Sequence, residues 1–502
     1  MVRNALRLLS LACLPILLVA QSLQDFEKNV TEFTLANGLR FIVLERHNAP
    51  VVSFHAYVNS GSVDDPRGET GLAHMFEHMI GKGTTTIGTK NWPDEKKALE
   101  AVEAIYDRLE AERAKGFNKD PKAIEKIEAE LKAAIDKANQ YVVPNEYVRL
   151  IEENGGVGFN ASTANDYTNY YYDLPVNRME LWFLMQSQWL RQPVYREFYK
   201  ERDVVREERR MRIESNPQGK LQEMLLATAF TAHPYRTSIG WASDIENLRA
   251  EEAQQFFLKH YVPANITIAI AGDVNPSEVK RLADLYFSGL PSRPLPGPVH
   301  TVEPPQEGEK RVAVETAAQP FVYIAFKRPN QLHEDDVVFD VVANIVSSGR
   351  TGLLYKELVR DKKIALGAAA GATFPSGKYD NLFVFLAVPN QGKTVEENEK
   401  AIYEIIEKLK NEKVDAATLD RVKTKLRAGL IRQLDSNSGL AYQLAYYQAN
   451  YGDWRKMFTG LDEIDKVTAD DVQRVARTYF NTSTRTVAHT VAPPKPAQPE
   501  AK

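Results

Sequence analysis

Two stretches of this chain repeat one another at a constant spacing, and a cluster of prolines lies between them. Ala250-Glu251-Glu252-Ala253-Gln254, with Tyr261 and Ile266-Thr267-Ile268-Ala269 behind it, matches Ala469-Asp470-Asp471-Val472-Gln473, with Phe480 and Arg485-Thr486-Val487-Ala488 behind it, at an offset of 219 residues without a gap. Each copy reads as an amphipathic helix followed by a strand, so one supersecondary unit has been used twice. Between the copies Pro291, Pro294, Pro296 and Pro298 fall close together and Pro304-Pro305 follow. Proline fixes φ and removes a backbone donor, so 291–310 predicts an extended, semi-rigid linker. A chain with these two features is expected to form two similar halves, 23–290 and 311–492, facing one another across the linker. A Pro-rich stretch at 493–502 reads as a disordered tail.

Within the first half, Phe33 to Leu44 reads as two short strands around Asn37-Gly38, a strong hairpin signal, and Val51 to Val58 as a further strand. This half is the longer because of a segment over about 94–145. From Asp94 to Lys137, 12 side chains are acidic and 10 basic. Leu99, Val102, Ile105 and Leu109, then Ile124, Ile127, Leu131 and Ile135, recur at helical spacing on either side of 116–121, which predicts a helical hairpin projecting from the domain.

Composition narrows the function classes. With 63 basic against 67 acidic residues, the chain lacks the basic surplus of a nucleic-acid binder. At 43% hydrophobic and 26% charged it has the make-up of a soluble globular protein. Arg3 and Arg7 precede an apolar run from Leu8 to Ala20, with small residues at Ala20 and Ser22, so 1–22 reads as a secretory signal peptide too short for a stable membrane span. Cys13, the single cysteine, lies inside it. The mature chain is therefore expected to be free of disulfides and thiolate metal ligands.

The chemistry-bearing stretch is His74-Met75-Phe76-Glu77-His78. Histidines four apart on a helix face one way, so both imidazoles can address one metal ion, and Glu77 lies near enough to take a proton from water that the metal polarises. With nine histidines in the chain, such a triplet arises by chance about once in a hundred sequences of this length. A catalytic zinc usually has a third protein ligand. Glu201 and Glu208 lie two turns apart on a second helical stretch, with Val204 and Val205 beside them as apolar anchors. Spacing alone leaves open that this run merely pairs with its own arginines.

At this point the sequence resembles the pitrilysin/insulinase family of zinc peptidases, the inverted zincins, whose signature is the His-x-x-Glu-His order. The resemblance extends to Gly61-Ser62-Val63-Asp64-Asp65, Asn160-Ala161-Ser162-Thr163 with Thr168 and Tyr170, His233-Pro234-Tyr235 with Gly240, and Leu353 to Leu358. It implies Zn2+ as cofactor, His74, His78 and Glu208 as ligands, Glu77 as general base and Glu201 as a carboxylate orienting the site. Asn160 and Ala161 would lie on an edge strand that a peptide joins by main-chain pairing. The implied fold is α+β, two homologous domains, each a mixed β-sheet flanked by helices, forming a clamshell over short or unfolded peptides.

One departure bears on activity. Self-sufficient members carry, in the second half, an arginine followed seven residues later by a tyrosine that stabilises the tetrahedral intermediate. Here Arg360 is followed at that spacing by Gly367. The resemblance then implies the zinc-bearing subunit of a two-chain, periplasmic endopeptidase, with a homologous partner supplying the Arg/Tyr pair. A catalytically silent scaffold or peptide-binding subunit is the alternative, and the complete set of metal-motif residues argues against it.

Overall fold

The offset of 219 persists down to the ends of the elements. In the computed structural model, which describes residues 26–237 and 239–493, a helix at Ala250–His260 leads to a strand at Ile266–Gly272, and 219 residues on a helix at Ala469–Tyr479 leads to a strand at Arg485–Val491. The helices start alike for a chemical reason. The third residue of each, Glu252 or Asp471, turns back to accept the N–H of the residue before the helix, Arg249 at 3.0 Å or Thr468 at 2.9 Å. The leader read at 1–22 and all of the tail beyond 493 lie outside the described residues.

The first half supplies β1 (Val30–Thr34), β2 (Arg40–Glu45), β3 (Val51–Val58), β4 (Val157–Thr163), β5 (Thr168–Pro175) and β6 (Ile266–Gly272), ordered β1-β2-β6-β3-β5-β4. The second supplies β7 (Lys310–Glu315), β8 (Val322–Arg328), β9 (Ala365–Phe374), β10 (Asn381–Pro389) and β11 (Arg485–Val491), ordered β7-β11-β8-β10-β9. The repeated strand takes the same place in both. β6 runs parallel to β2 and antiparallel to β3, as β11 does to β7 and β8. Two homologous α+β units with mixed sheets are thus the architecture, and β4 and β9 are equivalent open edges.

Side chains alternate across a strand, so each sheet has two faces to cover. One face of each packs on helices of its own half: Val322, Ile324 and Phe326 join Phe339, Ile402 and Val475. The other face is covered from across the molecule. Ile42, Leu44, Tyr57, Ala269 and Ala271 of the first sheet pack against Leu440, Ala441, Leu444 and Ala445 of helix Asn437–Tyr451 and against Trp454 beyond it. In return, Tyr323, Ala325, Val384 and Ala488 of the second sheet pack against Leu221, Leu225 and Ala229 of helix Pro217–Ala229. The halves have exchanged equivalent helices. Both begin after Asn or Ser caps, Asn216 and Ser436, whose side chains accept the N–H groups of Gly219 and Gly439.

Helices Trp92–Arg113 and Pro121–Asn139 form an antiparallel pair, with Val102, Leu109, Ile127 and Leu131 buried. The helical hairpin that the charge-rich sequence predicts is present, with ion pairs such as Arg108–Glu130 and Arg113–Glu128 lying inside the pair, but its base does not stand free of the domain. Its first helix is docked on the domain, with Tyr106 stacked on Tyr199 at 5.1 Å and Arg202 donating to the Tyr106 hydroxyl at 2.7 Å. Among the described residues no helix is long and apolar enough to cross a membrane.

Candidate metal centre

The motif residues occupy a short helix, Leu72–His78, whose start is tightly prescribed. Asp65 accepts the N–H groups of Gly71 at 2.7 Å and Ala73 at 2.8 Å, which satisfies donors of the first turn, while Asp64 accepts the N–H of Gly61 at 3.1 Å. Gly71 stands at φ 94° and faces Gly240, where a Cβ would lie 2.6 Å from the Gly71 backbone. Only glycines allow that crossing.

The second helix, Phe198–Arg209, is pinned at both ends. Arg202 donates to the Leu248 carbonyl at 3.0 Å, and Arg209 to Glu223 at 2.7 Å and the Gly240 carbonyl at 2.5 Å. Val205 is buried as expected, but Val204 is 44% exposed, so one valine anchors the helix and not two. Glu207 turns to solvent and pairs with Arg210 at 2.5 Å, leaving Glu208 to face the motif helix. A π-helical turn, Arg210–Glu214, follows directly.

These elements bring His74, His78 and Glu208 together, with one donor atom of each within 4.8 Å of the others. His74 Nε2 is 3.7 Å from Glu208 Oε1, and His78 Nε2 is 3.6 Å from Glu208 Oε2. The imidazole rings meet edge to face at 4.9 Å. Glu201 is set behind, its Oε2 3.4 Å from His78 Nδ1, so the other ring nitrogen of His78 is left for the centre. Burial lowers His74 to about 4, where it is a neutral lone-pair donor. Burial also opposes charge on His78, but Glu201 and Glu208 outweigh it and raise that group to about 9. His74 Nδ1 is buried without a hydrogen-bond partner. Two imidazoles and one carboxylate, converging and backed by a second carboxylate, are a donor set that fits zinc.

Glu77 lies beside this cluster; burial raises its carboxyl above the usual carboxylate range, against the pull of the Thr163 hydroxyl and main chain, which favour its charged form. Thr163 is on β4, at the open edge. The Ala164 N–H donates to the Tyr167 carbonyl at 2.9 Å, and from that pair the ladder alternates. Ala161 and Thr163 therefore turn their backbone groups away from β5. Asn160 is exposed on the same edge, and its Oδ1 accepts the Ala161 N–H at 2.9 Å.

Sequence reasoning missed the roles of Thr163, Lys82 and Arg196. Lys82 bonds Glu201 at 2.5 Å and reaches Glu197 at 3.4 Å; lying four residues after His78, it was open to the same spacing argument. Arg196 holds the segment carrying Lys82 by donating to the carbonyls of Lys82, Thr84 and Ile87 while pairing with fully buried Glu95 at 2.7 Å. His233-Pro234-Tyr235 also gains a reason, because the Tyr235 hydroxyl donates to Asp166 in the β4–β5 turn at 2.6 Å. Arg360 is exposed and paired with its neighbour Asp361 at 2.6 Å, and a Cβ on Gly367 would meet nothing within 4 Å.

The model for insulinase (peptidase family M16) matches residues 40–112 and 132–241, and that for the peptidase M16 inactive domain matches 247–426. The chain belongs to the insulinase family. Among its relatives in this insulinase family, the zinc protease PqqE of Helicobacter pylori is 27% identical over 490 residues, covering 94% of this chain and 96% of that protein. A probable mitochondrial-processing peptidase subunit beta of Arabidopsis thaliana is 24% identical, covering 89% of this chain and 75% of that one. The crystal structure of a protease from Helicobacter pylori superposes with a TM-score of 0.76 at 25% identity, over 92% of this chain and 99% of that one. The break in the insulinase match, 113–131, covers the turn of the helical pair and the first half of its second helix.

Proposed function

We propose that this chain is a zinc-dependent endopeptidase for short or unfolded peptides, with His74, His78 and Glu208 as the zinc ligands. The observation that carries this reading is the convergence of those three donors beside Glu77, itself set against the open edge of β4. The names of zinc-protease relatives support the choice of metal. Zinc supplies Lewis acidity, which brings the deprotonation of water near neutral pH and polarises a peptide carbonyl. The remaining work falls to the chain's own groups. The outward N–H and C=O of Ala161 pair with an extended peptide, Asn160 releases the Ala161 N–H to it, and the scissile bond is laid across the centre. The Glu77 carboxylate takes the proton of the attacking water and returns it to the leaving amine. Glu201, held by Lys82, keeps His78 oriented.

The same reading makes the chain the zinc-bearing member of an exported, periplasmic pair. Gly367 offers no hydroxyl and Arg360 is engaged with Asp361, so the oxyanion donors are assigned to a homologous partner subunit. A missing oxyanion donor costs about 10² to 10³ in kcat. The silent-subunit reading draws on the match of 247–426 to an inactive domain.

The test is metal analysis of the purified chain together with cleavage of unstructured quenched peptides, with and without chelator and a tyrosine-bearing homologue. One zinc per chain and chelator-sensitive cleavage that rises with the homologue are expected. Glu77→Gln should keep the zinc and lose about 10² to 10⁴ of the rate. A zinc-free chain, or full activity in that variant, sinks the mechanism. Ordinary turnover by the chain alone removes the two-chain part, and zinc without cleavage in any combination favours the silent subunit.

A further inference from the structure

Where the helical pair docks on the first half, it borders a half-open cavity of about 580 Å3. The walls come from helix Trp92–Arg113, the segment leading into helix Phe198–Arg209, helix Ala250–His260, and Arg293 of the linker. That volume is in the range of small-molecule sites. Its lining is largely apolar, with Trp92, Leu99, Phe198 and Phe257 among the contributors.

The charges on the wall are unequal in what they lack. Every acidic side chain there has a cation: Glu100 has Lys96, Glu103, Asp107 and Glu251 share Arg249, and Glu197 has Lys82 and Lys200. Arg191 and Arg293 have none of the ion pairs found among the described residues; Arg293 only lies over the Phe257 ring at 5.9 Å. Three carboxylates around one Arg249 leave that side of the wall acidic, so the place for an anion is at Arg191 and Arg293, whose two guanidiniums are free and are the group best suited to a carboxylate. A large apolar wall beside them wants hydrocarbon.

We propose that this cavity binds an aliphatic carboxylate, with its chain along the apolar wall and its head group on Arg191 and Arg293. The site is separate from the metal centre, yet it shares Glu197, whose side chain leads through Lys82 and Glu201 to His78. Glu197 also stands at φ 57°, in the left-handed region, where it starts the helix that carries Glu201 and Glu208.

The test is titration calorimetry of the full purified chain with dodecanoate below its aggregation concentration. One saturable site per chain is expected, weakened about tenfold or more in the Arg191→Ala/Arg293→Ala double variant and for dodecanol in place of the acid. Gln254→Trp, at an exposed lining position, should block the cavity without disturbing the fold. None of these positions touches the metal ligands, so zinc content stays constant and the result is independent of peptidase activity. No saturable binding up to about 1 mM overturns the proposal. So does binding that both variants leave unchanged, or tighter binding of a hydrophobic tripeptide acid than of dodecanoate.

Discussion

Thr163 sets the strand that would hold the substrate beside the proposed general base, because its hydroxyl and main chain both favour the charged form of Glu77. Thr163→Val keeps the shape and removes the hydroxyl. Its expected effect is a fall in kcat of about tenfold with KM little changed, roughly 1.4 kcal/mol of transition-state energy, and an unchanged kcat would dismiss the hydroxyl from the mechanism. His55 poses a different question, one of stability. It is buried between Asn169 and Ser438, each at 3.0 Å, and so joins the two halves. Burial holds it at about 4 against an ordinary 6.5, with the Asn169 bond pulling the other way. The unfolded chain thus binds a proton that the folded one refuses between those values. Stability is full above about 6.5 and is lost as pH falls towards about 4, by roughly 3 kcal/mol in all. Urea midpoints over that window should slope less steeply in His55→Gln, and an identical slope would clear His55. His74, Glu77 and His78 were legible because one turn of helix contains them. Glu208 was legible only through the family resemblance, since its distance from Glu201 alone left an ordinary charged helix face open. Thr163 was not, because the contact that gives it a role crosses from a strand to Glu77, 86 residues earlier.

At the level of elements, helix Pro217–Ala229 passes so close to the chain before it that a Cβ on Gly219 would stand 2.0 Å from the Arg212 carbonyl. Gly439, its counterpart, faces the Gln433 carbonyl at 2.4 Å. Helix propensity alone predicts that Gly219→Ala stabilises by about 1 kcal/mol. Packing predicts the opposite, a loss of roughly 3 kcal/mol, since a backbone atom cannot step aside. Arg212 is paired with Glu208 at 2.8 Å, so Gly219→Ala should also weaken metal binding, while Gly439→Ala costs stability alone. Denaturant titration and a metal-competition assay separate the two, and equal metal affinities would refute the coupling. The hairpin at Asn37-Gly38 and the strand Val51–Val58 were readable from turn chemistry and alternation. The docking of the helical pair was not, because charge runs report the solvated face, whereas Tyr106 and Glu95 make the contact on the other.

Across the whole molecule, neither half owns a complete core. Residues 26–290 alone would leave Ile42, Leu44, Tyr57, Ala269 and Ala271 bare, and residues 291–493 alone would leave Tyr323, Ala325 and Val384 bare. Exposed apolar patches of that kind drive association. Each fragment expressed separately should therefore lack a cooperative transition, the mixture should recover one, and the intact chain should melt in a single calorimetric step. Two resolved transitions would contradict the exchange. The repeat announced two related halves, yet a stripe of apolar residues says that a helix is buried and not against which sheet. The exchange also sets an order of events. A chain emerging from its N-terminus completes its first sheet at Gly272, but the helix that roofs it, Asn437–Tyr451, comes 165 residues later. The half bearing the proposed metal ligands must wait, uncapped, until helix Asn437–Tyr451 is made, so an interrupted polypeptide leaves no finished first half behind.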